Sequence, residues 1–419
     1  MKNMLNNLFL TILCLLIVFN SQANTPTKDF EALQESVQAS LQSMLKNMED
    51  NYAYGKQKNI NWVCLNQQYK NSIIPLESKT DVVLFFEHLL LEFADSHMTL
   101  NTNTSKSYRL NSPIFVKKHQ SAFLIDDFWQ TQLINSTKLT IGAELISING
   151  KTVNEVIKNF PTHCLDKSLT GNQQWIVNKS LAGKYSESRI IQVKAGENIE
   201  TIDMDQLQYQ QHDNLLNTEV INKFGVIKIN NSLGQTGLIT AFDQAIDELK
   251  STHGLILDLR NTINGGDSYV ARAIIGRFID RAQPYQKHRF EEHRNGGPKV
   301  PRIWTEYTSP RETIYNKPLV VLVNQWTGSM GEGLTIGLHG IQRAQIIGSQ
   351  MAGLLGAVYG FQLEGTGFGY QMPSEQLFHI DNTPREMFIP DIVVKPSPDQ
   401  SDAVLNEGVN WLKQRKAAH

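Results

Sequence analysis

Pro318-Leu319-Val320-Val321-Leu322-Val323-Asn324-Gln325-Trp326-Thr327-Gly328-Ser329-Met330-Gly331-Glu332 is the stretch on which the reading of this chain turns. Its first part is an unbroken aliphatic run, too short for a helix and apolar on both faces, as a strand covered on both sides requires. The small residues Thr327 and Gly328 then allow a sharp bend, and Met330 to Ile341 reads as a helix. A serine on such a strand-to-helix turn has its hydroxyl at the carboxyl edge of a sheet. The helix N-terminus adds a positive partial charge beside it. Both features suit a nucleophile next to an oxyanion. The same residues also spell a capping box, Ser329-x-x-Glu332, in which the two side chains satisfy the first helical N–H groups. Thr327 stands where the Gly-x-Ser-x-Gly elbow has its first glycine, so this stretch alone leaves both readings open.

The flanking sequence alternates strand and helix, which indicates an α/β layer structure. Phe224–Ile229, Gly254–Leu259 and Ala344–Ile347 read as further strands. Gly237–Ser251, Tyr269–Arg277 and Ser401–Gln414 read as helices. Upstream the pattern changes. Ser112–Val116, Ala122–Ile125 and Arg189–Val193 are short β-like runs, and Ile141–Val153 reads as two strands around an Asn149-Gly150 turn. Earlier still, about 29–92 reads as helical: Leu33, Val37, Leu41, Met44 and Leu45 recur at helical spacing, and Val82–Phe93 forms a second apolar-faced helix.

The chain has 419 residues, 41% hydrophobic and 19% charged. That composition suits a folded protein of two or three domains. Lys plus Arg is 39 against 41 Asp plus Glu, a balance that gives no electrostatic drive towards nucleic acid or acidic lipid. Lys2, the apolar run Leu8–Phe19 and Ser21-Gln22-Ala23 together read as an export signal, with an uncleaved anchor as the alternative. The expected product is exported, periplasmic or secreted, without a stable membrane span once the signal is removed. Beyond the signal only Cys64 and Cys164 remain. In an oxidising compartment they either pair or stay as two buried thiols. No Cys/His cluster suggests a metal site.

Three other segments carry candidate chemistry. Asp258-Leu259-Arg260 ends a strand and leads to Asn264-Gly265-Gly266, whose backbone can approach a ligand closely; one lost oxyanion donor costs roughly 3 kcal/mol. Asp95-Ser96-His97 offers an imidazole able to act as a base. Glu386 lies before Phe388-Ile389-Pro390-Asp391-Ile392 and offers a carboxylate to orient that base. Each has an ordinary structural explanation when taken alone: a βα turn, one of 11 histidines, a surface charge.

Taken in order and spacing, Asp95–His97, Gly254–Gly266, Pro318–Glu332, Ala344–Gly353 and Glu386–Val393 resemble the C-terminal-processing (tail-specific) serine peptidases over about residues 80–400. The resemblance implies a crotonase/Clp-protease-like α/β core with a PDZ-like β domain and a helical N-terminal segment. The implied boundaries are 1–23 for the signal, 24–108 for the helical segment, 109–212 for the PDZ-like domain and 213–419 for the core. It implies a peptide or protein substrate and no cofactor. One arrangement in the family uses a Ser–Lys dyad, but the expected lysine position falls at about Leu354, and no lysine occurs between Ser329 and Lys395. The other arrangement, similar to tricorn protease, implies Ser329 as nucleophile, His97 as general base, and Glu386 acting through Ser96 to orient the imidazole. The oxyanion donors would be the backbone N–H groups of Met330 and of Gly265 or Gly266. The loop Asn261–Asn264 is one residue longer than the family pattern. A non-catalytic binding protein on the same scaffold, and an acyl hydrolase of small molecules, remain as alternatives.

Overall fold

A computed structural model of the chain describes residues 28–135, 139–294, 296–396 and 401–417. The expected export signal, residues 1–23, lies outside the described residues. The central sheet has six strands in the order Ile392–Val393, Gln345–Gly348, Leu319–Val323, Leu255–Asp258, Phe224–Ile229 and Leu216–Ile221. All neighbours are parallel except the last pair. Leu319–Val323 and Leu255–Asp258 are buried at every position, because helices cover both faces. Gly237–Glu248, Ser268–Ile275 and Met330–Gly340 share one apolar core with the sheet. The helix Ala403–Ala417 covers the other face through Val404, Val409 and Leu412. Each aliphatic side chain so buried contributes about 1.5–3 kcal/mol. Arg260 fastens that helix: its buried guanidinium bridges Asp258 and Asp402 at 2.7–2.9 Å.

The β-rich region is a sheet in the order Ile114–His119, Ala122–Phe128, Glu144–Ile148, Ile190–Ala195 and Asn198–Asp203, with Lys151–Thr152 paired to Glu144–Ile148. The Asn149-Gly150 hairpin is where the sequence puts it. The helix Thr170–Ala182, which packs on this sheet, was not expected. Its N-cap is Leu169, which makes no capping bond, so the sequence carries no start signal there.

Two further features differ from expectation. The helical segment holds three helices, Lys28–Asn51, Trp62–Asn71 and Lys79–Leu91, the middle one capped by Asn61 Oδ1 from Cys64 N–H at 3.0 Å. The segment also packs on a second sheet, which was not expected from the sequence. Val37, Leu41, Phe86 and Leu89 pack with Tyr370 and Met372 of that sheet and with Leu363 and Phe368 in the turn that joins two of its strands. That sheet runs Thr99–Leu100, Gly369–Phe378, Gln283–Glu292, Val300–Thr308, with Ala357–Gln362 on Gly369–Phe378. Gln283–Glu292 is rich in charged and polar residues, and Val300–Thr308 mixes them with apolar ones, so no apolar alternation announces these strands. Cys64 and Cys164 are disulfide-bonded at a sequence separation of 100, and tie the helical segment to the β-rich region. Beside the bond, Glu92 accepts the N–H groups of His163, Cys164 and Leu165 at 2.6–3.0 Å. Among the described residues no helix is long and apolar enough to cross a membrane.

Candidate active site

The strand Leu319–Val323 delivers the chain to Asn324, whose Oδ1 accepts Trp326 N–H at 2.9 Å, and Thr327 N–H returns to Asn324 O at 2.9 Å. This tight turn throws Ser329 into a backbone conformation of φ 50°, ψ −112°. An ordinary N-cap residue is extended, as Ser78 and Thr152 are here,. A non-glycine residue at positive φ outside the small left-handed well costs about 1–3 kcal/mol. Ser329 and Glu332 keep the reciprocal approach of a capping box, but the Glu332 arm carries it: Ser329 N–H donates to Glu332 Oε2 at 2.8 Å, and the serine side chain makes no capping bond. Capping alone does not account for the strain.

Against this turn lies the loop Asn261–Gly266. Gly265 has φ +62°, and a Cβ there would stand 2.4 Å from Ser329 Cβ and 2.8 Å from Met330 N. A Cβ on Gly266 would stand 2.1 Å from the Leu233 carbonyl carbon. Only glycine lets the two segments meet. Gly265 N–H is committed to Thr262 O at 2.9 Å. Met330 is the first helical residue, so its N–H has no carbonyl to meet within the helix,.

The segment Gly353–Gly356 joins the nucleophile turn to the imidazole. Gly353 N–H and Leu354 N–H donate to Glu332 at 2.9 and 3.2 Å. Leu355 O is 2.7 Å from His97 Nδ1. Arg385 Nη2 donates to Leu354 O and Gly356 O at 2.9 and 2.8 Å and stands 4.0 Å from Glu332. Arg385 and Glu332 are both buried. Burial pushes the Glu332 carboxyl up to about 7, against the pull of Arg385 and of the backbone N–H groups.

His97 is 7% exposed. Burial, reinforced by the Arg385 charge, lowers its pKa to about 4, so the ring is neutral at neutral pH. A carbonyl oxygen only accepts, so Nδ1 carries the proton and Nε2 is left basic. Below it Asp95, fully buried, accepts His97 N–H at 2.9 Å and the Tyr52 hydroxyl at 2.8 Å. Burial raises the Asp95 carboxyl above its usual range.

The structure thus brings Ser329, Met330, Gly265, Gly266 and, through one loop, His97 into one neighbourhood. Among the described residues no hydrogen bond joins His97 to Ser329. The expected relay from Glu386 through Ser96 is not formed. In the short stretch Asp95–His97 the first and third side chains turn inward, so Ser96 faces outward and accepts Trp175 Nε1–H at 3.1 Å. Glu386 is half-buried, its carboxyl raised chiefly by burial. Its Oε2 and the Tyr54 hydroxyl are both buried without a hydrogen-bond partner. The imidazole is oriented by the Leu355 carbonyl instead. Sequence reasoning also missed Arg385, and saw Glu332 only as a cap. Glu332 carried a signal in its spacing from Ser329; Arg385 carried none, since its partners lie some 30 residues away. Among the described residues no cluster of His, Cys, Asp or Glu can hold a metal ion.

Residues 223–394 match the model of peptidase family S41, and the chain carries a domain of that family. It is classed thereby with the serine peptidases, hydrolases of peptide bonds. No curated protein matches the chain by sequence. Among solved structures, mature CPAF is similar at a TM-score of 0.60 and 14% identity, over 91% of this chain and 97% of that one. The photosystem II D1 C-terminal processing protease gives 0.53 and 15%, over 90% and 99%. A putative peptidase from Parabacteroides merdae gives 0.55 and 13%, over 90% and 96%. At these identities the likeness is one of fold: a mixed α/β core with a separate, PDZ-like β-rich region. The disulfide accords with an exported location,.

Proposed function

We propose that the chain is a serine endopeptidase that cleaves peptide bonds through an acyl-enzyme on Ser329, with His97 as general base. The observation that carries this reading is the strained turn at Ser329, held against Gly265 and Met330 N–H. His97 Nε2 takes the Ser329 proton as Oγ attacks the scissile carbonyl, and returns it to the leaving amine. Met330 N–H holds the resulting oxyanion, and Gly266 is the second donor, because Gly265 N–H is already given to Thr262 O. Glu386 acts from behind, on the Tyr54 and Asp95 side of the imidazole, rather than through Ser96. The core is of the crotonase/Clp-protease type. The domains are a signal at 1–23, a helical segment at 24–108, a PDZ-like domain at 109–212 and the core at 213–419, the helical segment closing on the core through the second sheet. The mature protein is periplasmic or secreted.

Parallel assays of unfolded casein, short peptides and aryl esters test the reaction class with wild type and Ser329→Ala. The expected result is cleavage of peptides by the wild type alone, with both proteins equally folded. Equal peptidase activity in the two contradicts it; ester turnover without any peptide cleavage moves the assignment to a small-molecule acyl hydrolase.

A further inference from the structure

A cleft of about 310 Å3 opens between the helical segment, the β-rich region and the core. Ser96 and Leu355 line one side of it. The β-rich region supplies another wall: Ile114 and Phe115 from its edge strand, and Gln174, Trp175 and Asn178 from the helix Thr170–Ala182. A domain of this kind can capture an extended peptide by adding it as a strand to a sheet edge. That mode needs a row of free N–H and C=O groups along the edge.

The edge that faces the cleft is Ile114–His119, and the chain's own side chains already occupy it. Ile114 N–H donates to Ser112 Oγ at 3.1 Å. Val116 N–H donates to Asn178 Oδ1 at 2.9 Å, and Asn178 Nδ2 donates back to Val116 O at 2.9 Å. Lys118 N–H donates to Gln174 Oε1 at 3.2 Å. At the start of the strand, where a peptide's terminal carboxylate needs clustered N–H donors, Pro113 has none to give. Its carbonyl is taken by Trp129 N–H and that of Ser112 by Trp326 Nε1–H, each at 2.9 Å. The helix that seals the edge is also held across the cleft by Trp175 Nε1–H, which donates to Ser96 Oγ. The opposite edge, Asn198–Asp203, contributes no residue to the cleft.

We propose that this peptidase accepts internal segments of unstructured polypeptide and does not select substrates by a free C-terminal carboxylate. The inference rests on the peptidase reading above and assigns the PDZ-like region the role of a closed wall of the cleft rather than a receptor for chain ends. Gln174 and Asn178 are the residues that close it.

Internally quenched peptides made in pairs, one with a C-terminal carboxylate and one with a C-terminal amide, test this on the full chain. The expected kcat/KM values agree within about twofold in each pair, and a loss of tenfold or more on amidation overturns the proposal. Amide hydrogen exchange gives an arm independent of turnover. Val116 and Lys118 N–H should be protected in the free protein, unchanged by millimolar free-acid peptide, and deprotected in Gln174→Ala/Asn178→Ala. Edge amides that exchange freely and gain protection only with free-acid peptide overturn it. A protein that cuts no peptide and is not labelled at Ser329 by a fluorophosphonate refutes the peptidase reading, while the exchange arm still decides whether the edge is sealed.

Discussion

Ser329 takes its position from its neighbours in the chain, whereas His97 takes its position from Leu355, 258 residues later. The serine sits on a turn whose strand, bend and helix are contiguous, and Glu332, three residues on, holds its N–H. The histidine follows a helix that packs on a remote sheet, and its ring is aimed by a carbonyl on a loop that Arg385 and Glu332 fix. A nucleophile can therefore be encoded in a dozen residues, while its base requires the tertiary fold to be complete.

Substitutions and a change of pH bear on that contrast, in descending order of expected effect. Ser329→Ala should lower acyl transfer by roughly 10^4-fold or more, since only binding and the oxyanion donors remain. Its companion Ser329→Gly should be as inactive yet more stable than Ser329→Ala by roughly 1 kcal/mol, because glycine relieves the positive φ. Thermal or urea unfolding measures this; an alanine variant as stable as the glycine one would remove the strain argument. His97→Ala should lower kcat by roughly 10^2- to 10^4-fold at unchanged fold. Loss of the disulfide in Cys64→Ser/Cys164→Ser should cost about 2–5 kcal/mol and bear on the segment that carries His97, so the activity should fail at lower denaturant than the core helices do, as read by peptidase assay beside circular dichroism. Coincident loss would show that the segment and the core unfold as one.

The smallest effect is the pH dependence. His97 is lowered to about 4 in the fold against an ordinary 6.5. Between those values the unfolded chain binds the proton and the folded one does not, so stability contributed by this group falls as pH drops from 6.5 towards 4. The acid limb of kcat/KM should likewise lie near pH 4. Arg385→Met removes the nearby positive charge and should move that limb upward; a limb at about 6.5 in the wild type would mean that the imidazole is not buried as described.

Much of the core was legible because its strands are apolar on both faces and its helices have clear ends. Phe224–Ile229 and Leu319–Val323 stand where the sequence places them. The second sheet was not legible: Gln283–Glu292 is largely polar, Val300–Thr308 mixes apolar and polar residues without a buried face, and their pairing is decided by partners far along the chain. The site divides the same way. Ser329, Gly265 and Gly266 announce themselves through local turn chemistry, and the close approach of Gly265 to Ser329 is present. The carboxylate relay through Ser96 was expected from family order alone. It could not have been corrected from sequence, because Asp95 and His97 are turned inward by partners elsewhere in the chain, Tyr52 and Leu355, which leaves Ser96 outward.

The most direct measurement is covalent labelling by a fluorophosphonate, with the modified residue located by mass spectrometry and the rate compared between wild type and His97→Ala. The expected result is one adduct per chain, on Ser329, formed at least roughly a hundredfold more slowly without the imidazole. Labelling at any other serine, or an equal rate in the two proteins, would contradict it.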